Sequence, residues 1–152
     1  MKRMISLALA LMMLLSLTAS ALAADEYYSD LLESLEWTSD DMTQTRTQRK
    51  MSVAAVIICY LLANPDDAET LGEISASGNA KICRYGSSTV DIYLPMTGSS
   101  KYLNLFVIPR TGKITNYGIT KFYGSDEKTY YDVDMEDVVD ILSDISESLN
   151  SD

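Results

Sequence analysis

Carboxylates supply most of the groups with which this chain could do chemistry. The sequence contains 22 Asp and Glu residues and no His. The lack of imidazole excludes His general bases, Ser-His and Cys-His nucleophiles, and zinc sites with imidazole ligands. What remains for catalysis is a pair of carboxylates, as in glycoside hydrolysis. Asp91, on a predicted strand, is a candidate, but the sequence places no second carboxylate beside it. We therefore predict no catalytic residue.

Three of the acidic residues, Asp132, Asp134 and Glu136, have the spacing of the first three acidic ligands in a calcium loop of the EF-hand type. That loop also needs Gly at its sixth position and a bidentate Glu at its twelfth. This chain has Asp137 and Ser143 there. We interpret the acids as the first turn of a helix, where the helix dipole favours negative charge. No glycine-rich phosphate loop is present either, and we predict no metal and no cofactor.

Cys59 and Cys83 are the two cysteines of the chain. In an exported protein two cysteines predict a disulfide, here between a helix and the first strand. Closing a loop of about 25 residues would stabilise the fold by about 3 kcal/mol in the chain-entropy model. The alternative is a pair of separate buried thiols, because free Cys behaves as a small hydrophobic residue.

Tyrosine is enriched, with ten residues against two Phe and one Trp. Tyr offers contact area with a polar tip and is favoured at recognition surfaces. If helices cover one face of the predicted sheet, the other face is open to carry tyrosines. The predicted ligand-binding residues are Tyr85, Tyr93, Tyr102 and Tyr117. The alternative is that these rings stabilise the sheet through cross-strand pairs.

A cationic strip, Arg46, Arg49 and Lys50, continues the apolar stripe of the predicted central helix. One interpretation is an exposed strip for an anionic partner such as a cell-wall polymer. The other is internal pairing with the acidic faces of the first or the last helix, which we favour because acids are abundant.

The segment Leu94–Gly98 reads LPMTG and resembles the sortase signal of wall-anchored surface proteins. In that family the motif lies near the C-terminus, ahead of an apolar span and a basic tail. Here 54 residues follow it and the last of them is acidic. Pro and Gly are also ordinary turn residues, and we expect a turn at this place.

Residues 1–23 are predicted to be a secretory signal peptide, and residues 24–152 a single α+β domain. Lys2 and Arg3 form the positive region, Ile5–Leu17 the apolar region, and Ala21–Ala23 the small-residue cleavage site. Without Lys2 and Arg3, 10 of the 12 basic residues remain against 22 acids, a formal charge of −12. This charge argues against nucleic acid or an anionic membrane as partner.

The elements that must position these residues follow from hydrophobic periodicity. Ser52–Ala63 is apolar on all sides of a helix and too short for a membrane span, which predicts a buried central helix. This helix is expected to run from about Asp40 to Ala63, with Pro65 marking its end. An amphipathic helix, Glu26–Trp37, precedes it, and another containing Val138 and Leu142 ends the chain. Between them, short polar turns predict four antiparallel strands: Lys81–Tyr85, Thr89–Leu94, Tyr102–Ile108 and Lys113–Thr120. The predicted fold class is α+β, with two N-terminal helices, a four-stranded antiparallel meander and a C-terminal helix, the helices packed on one sheet face.

These features predict a small secreted or extracytoplasmic protein, in a bacterial envelope or extracellular, with no transmembrane anchor after signal cleavage. The expected function is non-catalytic binding of a protein, a peptide or a glycan through the Tyr-rich sheet face. One alternative is a small carboxylate-dependent hydrolase, which requires a pocket joining Asp91 to another acid. The other is an envelope-associated structural protein, which requires the cationic strip to be exposed.

Overall fold

The computed structural model describes residues 46–64, 67–85, 89–108, 111–124 and 128–150. The predicted signal peptide, the predicted helix Glu26–Trp37 and the beginning of the predicted central helix lie outside these ranges. The described residues form an α+β structure with one antiparallel sheet and a C-terminal helix, as the sequence predicts.

The apolar stretch of the sequence lies in helix α1, Arg46–Ala63. Every residue from Ser52 to Leu61 is buried, with exposed fractions between 0% and 9%. Beyond the end of the helix, the Asn64 backbone N–H and side-chain amide both donate to the Tyr60 carbonyl oxygen, at 2.9 and 3.2 Å. The predicted buried central helix is therefore confirmed. Among the described residues, no helix is both long enough and apolar enough to span a membrane.

A short helix, α2 (Ala68–Gly72), leads into the sheet. The strands are β1 (Asn79–Tyr85), β2 (Thr89–Pro95), β3 (Tyr102–Ile108), β4 (Lys113–Thr120) and β5 (Tyr131–Asp134). Their order across the sheet is β4-β3-β2-β1-β5, and all neighbours are antiparallel. The four predicted strands are present and pair as a meander.

The predicted number of strands is wrong, because β5 adds a fifth within the described part of the chain. β5 has only four residues, and two of them are aspartates, which strands disfavour. Its pairing depends on β1, where Ala80 lies opposite Val133. A strand specified by a distant partner has a weak local signal, which is why the sequence did not predict β5.

Alternate residues of the strands face the helices and form the hydrophobic core. Ile82, Ile92 and Leu105 lie side by side in neighbouring strands and are 0% exposed. They belong to one cluster with Val53 and Ile57 of α1 and with Val138 and Leu142 of the last helix. We call this side of the sheet the helix-packed face, and the other side the second face.

The C-terminal helix, α3 (Met135–Asn150), begins directly after β5. The Glu136 backbone N–H donates to Asp134 Oδ1 at 2.9 Å, so Asp134 caps the helix. Glu136 and Asp137 occupy the first turn, where the positive end of the helix dipole lies. Met135, Val138 and Leu142 are fully buried. The predicted amphipathic C-terminal helix is confirmed.

The segment that reads LPMTG lies at the end of β2 and in the turn after it. Its backbone pairs with residues that follow α2: the Ser75 N–H donates to the Pro95 carbonyl and the Thr97 N–H to the Glu73 carbonyl, both at 2.7 Å. Ile74 and Met96 form an antiparallel bridge between the same segments. Gly98 has a positive φ of 68°, as a turn glycine often does.

Candidate functional site

Four aromatic rings contact one another on the second face of the sheet. The ring centroid of Tyr93 lies 4.9 Å from Phe122, 6.0 Å from Tyr130 and 6.1 Å from Tyr102. Phe122 is also 5.0 Å from Tyr130 and 6.2 Å from Tyr102. All five contacts are edge-to-face, the arrangement that the quadrupoles of aromatic rings favour. We call these four residues the aromatic cluster.

The aromatic cluster joins the sheet to the chain that follows β4. Tyr93 and Tyr102 come from β2 and β3, whereas Phe122 and Tyr130 come from residues 121–124 and 128–130. Those residues return over the second face, so part of that face is covered. Tyr93 is only 7% exposed and forms the base of the cluster. Tyr102, Phe122 and Tyr130 are each half-buried.

The predicted tyrosine site is therefore divided. Tyr93 is not an open contact residue, because the rings around it exclude solvent. Tyr102 keeps part of its ring at the surface. The side chains of Tyr85 and Tyr117 lie outside what the structure describes, although their backbones belong to β1 and β4.

A buried carboxylate lies beside the aromatic cluster. Asp91 is 2% exposed. The Asn104 side-chain amide donates to Asp91 Oδ1 at 2.7 Å and to the Ile92 carbonyl oxygen at 3.0 Å. The Tyr130 hydroxyl donates to Asp91 Oδ2 at 2.8 Å. Each carboxylate oxygen therefore has a partner, as a buried polar group requires.

Burial dominates the electrostatics of this carboxylate. Desolvation raises the pKa of Asp91, and the hydrogen bonds from Tyr130 and Asn104 and the charge of Lys128 oppose that rise. The pKa of Tyr130 is also raised, first by burial and then by its bond to Asp91. The phenol therefore stays protonated and acts as a donor.

The contacts of Asp91 connect β2 to β3 and to the segment after β4. The partners that the described residues give to its carboxylate are an amide and a phenol. A hydrolase of the kind considered above would need a second carboxylate in a pocket with Asp91. Of the two clefts described on this structure, neither includes Asp91 in its lining.

Cys59 and Cys83 are both buried, at 2% and 0% exposure. The structure does not show the predicted disulfide between them. Its geometry is unfavourable because Ile82 faces the helices, so that its neighbour Cys83 projects to the second face, away from α1. Burial, and then the charge of Asp91, raises the pKa of the Cys83 thiol, which disfavours the reactive thiolate.

The cationic strip engages the β5–α3 segment. Lys50 Nζ lies 3.0 Å from Asp137 Oδ2, and the Arg49 guanidinium lies 4.4 Å from the centroid of the Tyr131 ring. Arg46 is exposed. The Lys50 contact is internal pairing with the last helix, one of the two interpretations drawn from the sequence.

A cleft of about 360 Å³ opens between the strip and the facing segment. Its lining is Arg46, Arg49, Lys50, Asn79, Tyr131, Asp132, Val133, Asp134 and Asp137.

The acids that resemble a calcium loop have other roles. Asp132 Oδ1 lies 2.8 Å from Lys81 Nζ, and Asp134 caps α3. Within the described residues, no three Cys, Asp or Glu side chains are grouped so that they could hold a metal ion.

No family model matches this chain, and comparisons with curated proteins and with solved structures find no match either.

Asn104, Phe122 and Tyr130 belong to the site but were not predicted from the sequence. Asn104 carried a signal, since it is the one polar residue in an otherwise apolar strand. A buried amide needs partners, and Asp91 in the neighbouring strand provides one. Phe122 and Tyr130 lie outside the strands, where no periodicity indicates which surface a side chain contacts.

Proposed function

We propose that this protein is an exported, non-catalytic binding module whose recognition surface is centred on the aromatic cluster. The observation that carries the proposal is the arrangement of three half-exposed rings, Tyr102, Phe122 and Tyr130, around the buried ring of Tyr93. Its partner is a protein, a peptide or a glycan outside the cytoplasm.

Rigidity of the rings supports this proposal. Each half-exposed ring makes edge contacts with at least two others, so its rotamer is restricted before any partner binds. Asp91 adds a hydrogen bond that fixes the hydroxyl of Tyr130. A preorganised surface loses less conformational entropy on association, and that raises affinity. Lys81 Nζ, 5.0 Å from the centroid of Phe122, adds a cation at the cluster.

The proposal is tested by capture on the immobilised, purified protein. The input is the wall and supernatant fractions of the producing organism, together with a panel of glycans. We expect the wild type to capture a partner that the Tyr102→Ala variant does not capture. This substitution removes exposed ring area without emptying the core. Aromatic contacts are little affected by salt, so capture is expected to persist at about 0.5 M NaCl.

The matched control is Ile119→Ala. Ile119 is 50% exposed and lies opposite Leu103, a residue of the helix-packed face. This variant also removes exposed apolar surface and should retain the partner. If both variants capture the partner as the wild type does, the cluster is not the binding surface. A partner lost at moderate salt would point instead to the cationic strip.

A further inference from the structure

The cleft beside the cationic strip is lined by basic residues of one segment and acidic residues of another. One wall is the start of α1, with Arg46, Arg49 and Lys50, and the other is the β5–α3 segment, with Asp132, Asp134 and Asp137. A volume of about 360 Å³ lies within the range of small-molecule sites, roughly 300 to 1,000 Å³.

Most of these charges already have partners within the protein. Lys50 and Asp137 bridge the two walls at 3.0 Å. Asp132 is paired with Lys81 of β1 at 2.8 Å. The Arg49 guanidinium lies over the Tyr131 ring, which holds it against the cleft. The Lys50–Asp137 and Arg49–Tyr131 contacts join the two walls.

Arg46 and Asp134 differ from the others. Both are exposed and line the cleft, yet within the described residues they form no ion pair with each other. Asp134 uses Oδ1 to cap α3, and this bond holds its carboxylate in place. Asn79, which is opposite Asp134 in the β1–β5 pair, adds an amide that can donate and accept.

We propose that this cleft binds a small zwitterion, namely a short peptide with a free ammonium group and a free carboxylate. Arg46 receives the carboxylate, Asp134 receives the ammonium group, and Asn79 bonds to a peptide unit between them. Ionised partners make stronger hydrogen bonds than neutral hydroxyls do, which favours a zwitterion over a neutral sugar. This inference goes beyond the proposed function, because no residue of the cleft belongs to the aromatic cluster.

The test is a titration of the purified protein followed by backbone NMR chemical shifts. The probes are Ala-Ala, N-acetyl-Ala-Ala, Ala-Ala-amide and the doubly blocked N-acetyl-Ala-Ala-amide. Ala-Ala is expected to bind most tightly, and each block should weaken binding about tenfold or more, because one charge-assisted bond is lost. Shifts should concentrate at residues 46–50, 79 and 131–137.

Two variants assign the ends of the ligand. Arg46→Gln should abolish the difference between Ala-Ala and Ala-Ala-amide, and Asp134→Asn should abolish the difference between Ala-Ala and its N-acetyl form. Asn is also a good helix cap, so Asp134→Asn preserves the start of α3. The matched controls are Lys113→Gln, on the far edge strand β4, and Asp144→Asn, further along α3. Both controls should distinguish Ala-Ala from its blocked forms as the wild type does.

Several results would overturn the proposal. They are equal binding of all four peptides, binding of none, tighter binding of a neutral sugar than of Ala-Ala, and discrimination that survives both Arg46→Gln and Asp134→Asn. None of these results bears on capture by the aromatic cluster, so the two proposals fail separately.

Discussion

Asp91 is the residue on which three parts of the second face converge. Its carboxylate accepts one bond from β3, through Asn104, and one from the segment after β4, through Tyr130. In the sequence, Asp91 and Tyr93 alternate with the apolar residues Val90, Ile92 and Leu94, which indicates that the two side chains face away from the core. The sequence could not show that the chain returns over them, because that contact joins residues far apart in sequence and has no local pattern.

The first prediction concerns the pH dependence of stability. Burial raises the pKa of Asp91 above its ordinary value of 3.8, so the folded protein binds this proton more tightly than the unfolded chain does. The stability that Asp91 contributes is complete below pH 3.8 and is lost as the pH rises through the raised pKa. Asp91→Asn cannot ionise, and its free energy of unfolding should therefore fall less than that of the wild type between pH 4 and pH 7.

This difference is measured by urea denaturation at several pH values. One proton limits it to a slope of about 1.4 kcal/mol per pH unit. Asp144→Asn, at an exposed position of α3, is the control and should follow the wild type. If the free energies of unfolding of Asp91→Asn and of the wild type changed equally with pH, the pKa of Asp91 would be the same in the folded and the unfolded protein.

At the scale of elements, the sequence was most informative where periodicity is long. The central helix, the C-terminal helix and four of the strands each present a repeating apolar face, and all of them are found. β5 was missed because four residues are too few to establish a period, and its stability comes from pairing with β1.

The second prediction belongs to this scale and concerns the irregularity between β3 and β4. The register shifts after Asn104, which pairs with Gly118, whereas Leu105 pairs with Asn116. Gly118 has a φ of +88°, and an added Cβ would have no atom within 4 Å. Gly118→Ala should therefore destabilise the protein only through its backbone, by about 1–2 kcal/mol in urea denaturation.

Gly72→Ala is the matched control. An added Cβ there also has nothing within 4 Å, and Gly72 is not among the positive-φ glycines. It should stabilise the protein by about 0.4–1 kcal/mol, because alanine restricts the unfolded chain. Shifts of the same sign in the two variants would exclude backbone strain as the cause.

At the scale of the whole molecule, the sheet separates the two cysteines. Cys59 is in the helix layer and Cys83 projects from the second face, so the sheet lies between the thiols. A disulfide was expected because the chain has two cysteines and a predicted signal peptide. No pattern in the sequence indicated on which side of the sheet each thiol lies.

The corresponding prediction is that reducing agents leave the melting temperature unchanged. A thiol reagent such as DTNB should label neither cysteine in the native protein, because both are nearly inaccessible, and both in urea without prior reduction. If the cysteines reacted with DTNB in urea only after prior reduction, that result would contradict the structure and support the disulfide.

The pairing of Leu94–Gly98 has a consequence for how this chain meets processing enzymes. A transpeptidase or protease binds its substrate as an extended strand and needs the backbone around the scissile bond to be available. Here the Pro95 carbonyl and the Thr97 N–H are already bonded to residues 73–75. Recognition of the motif would require that segment to detach first. In the folded protein these five residues are therefore not available in extended form to such an enzyme, whereas in an unfolded chain they would be.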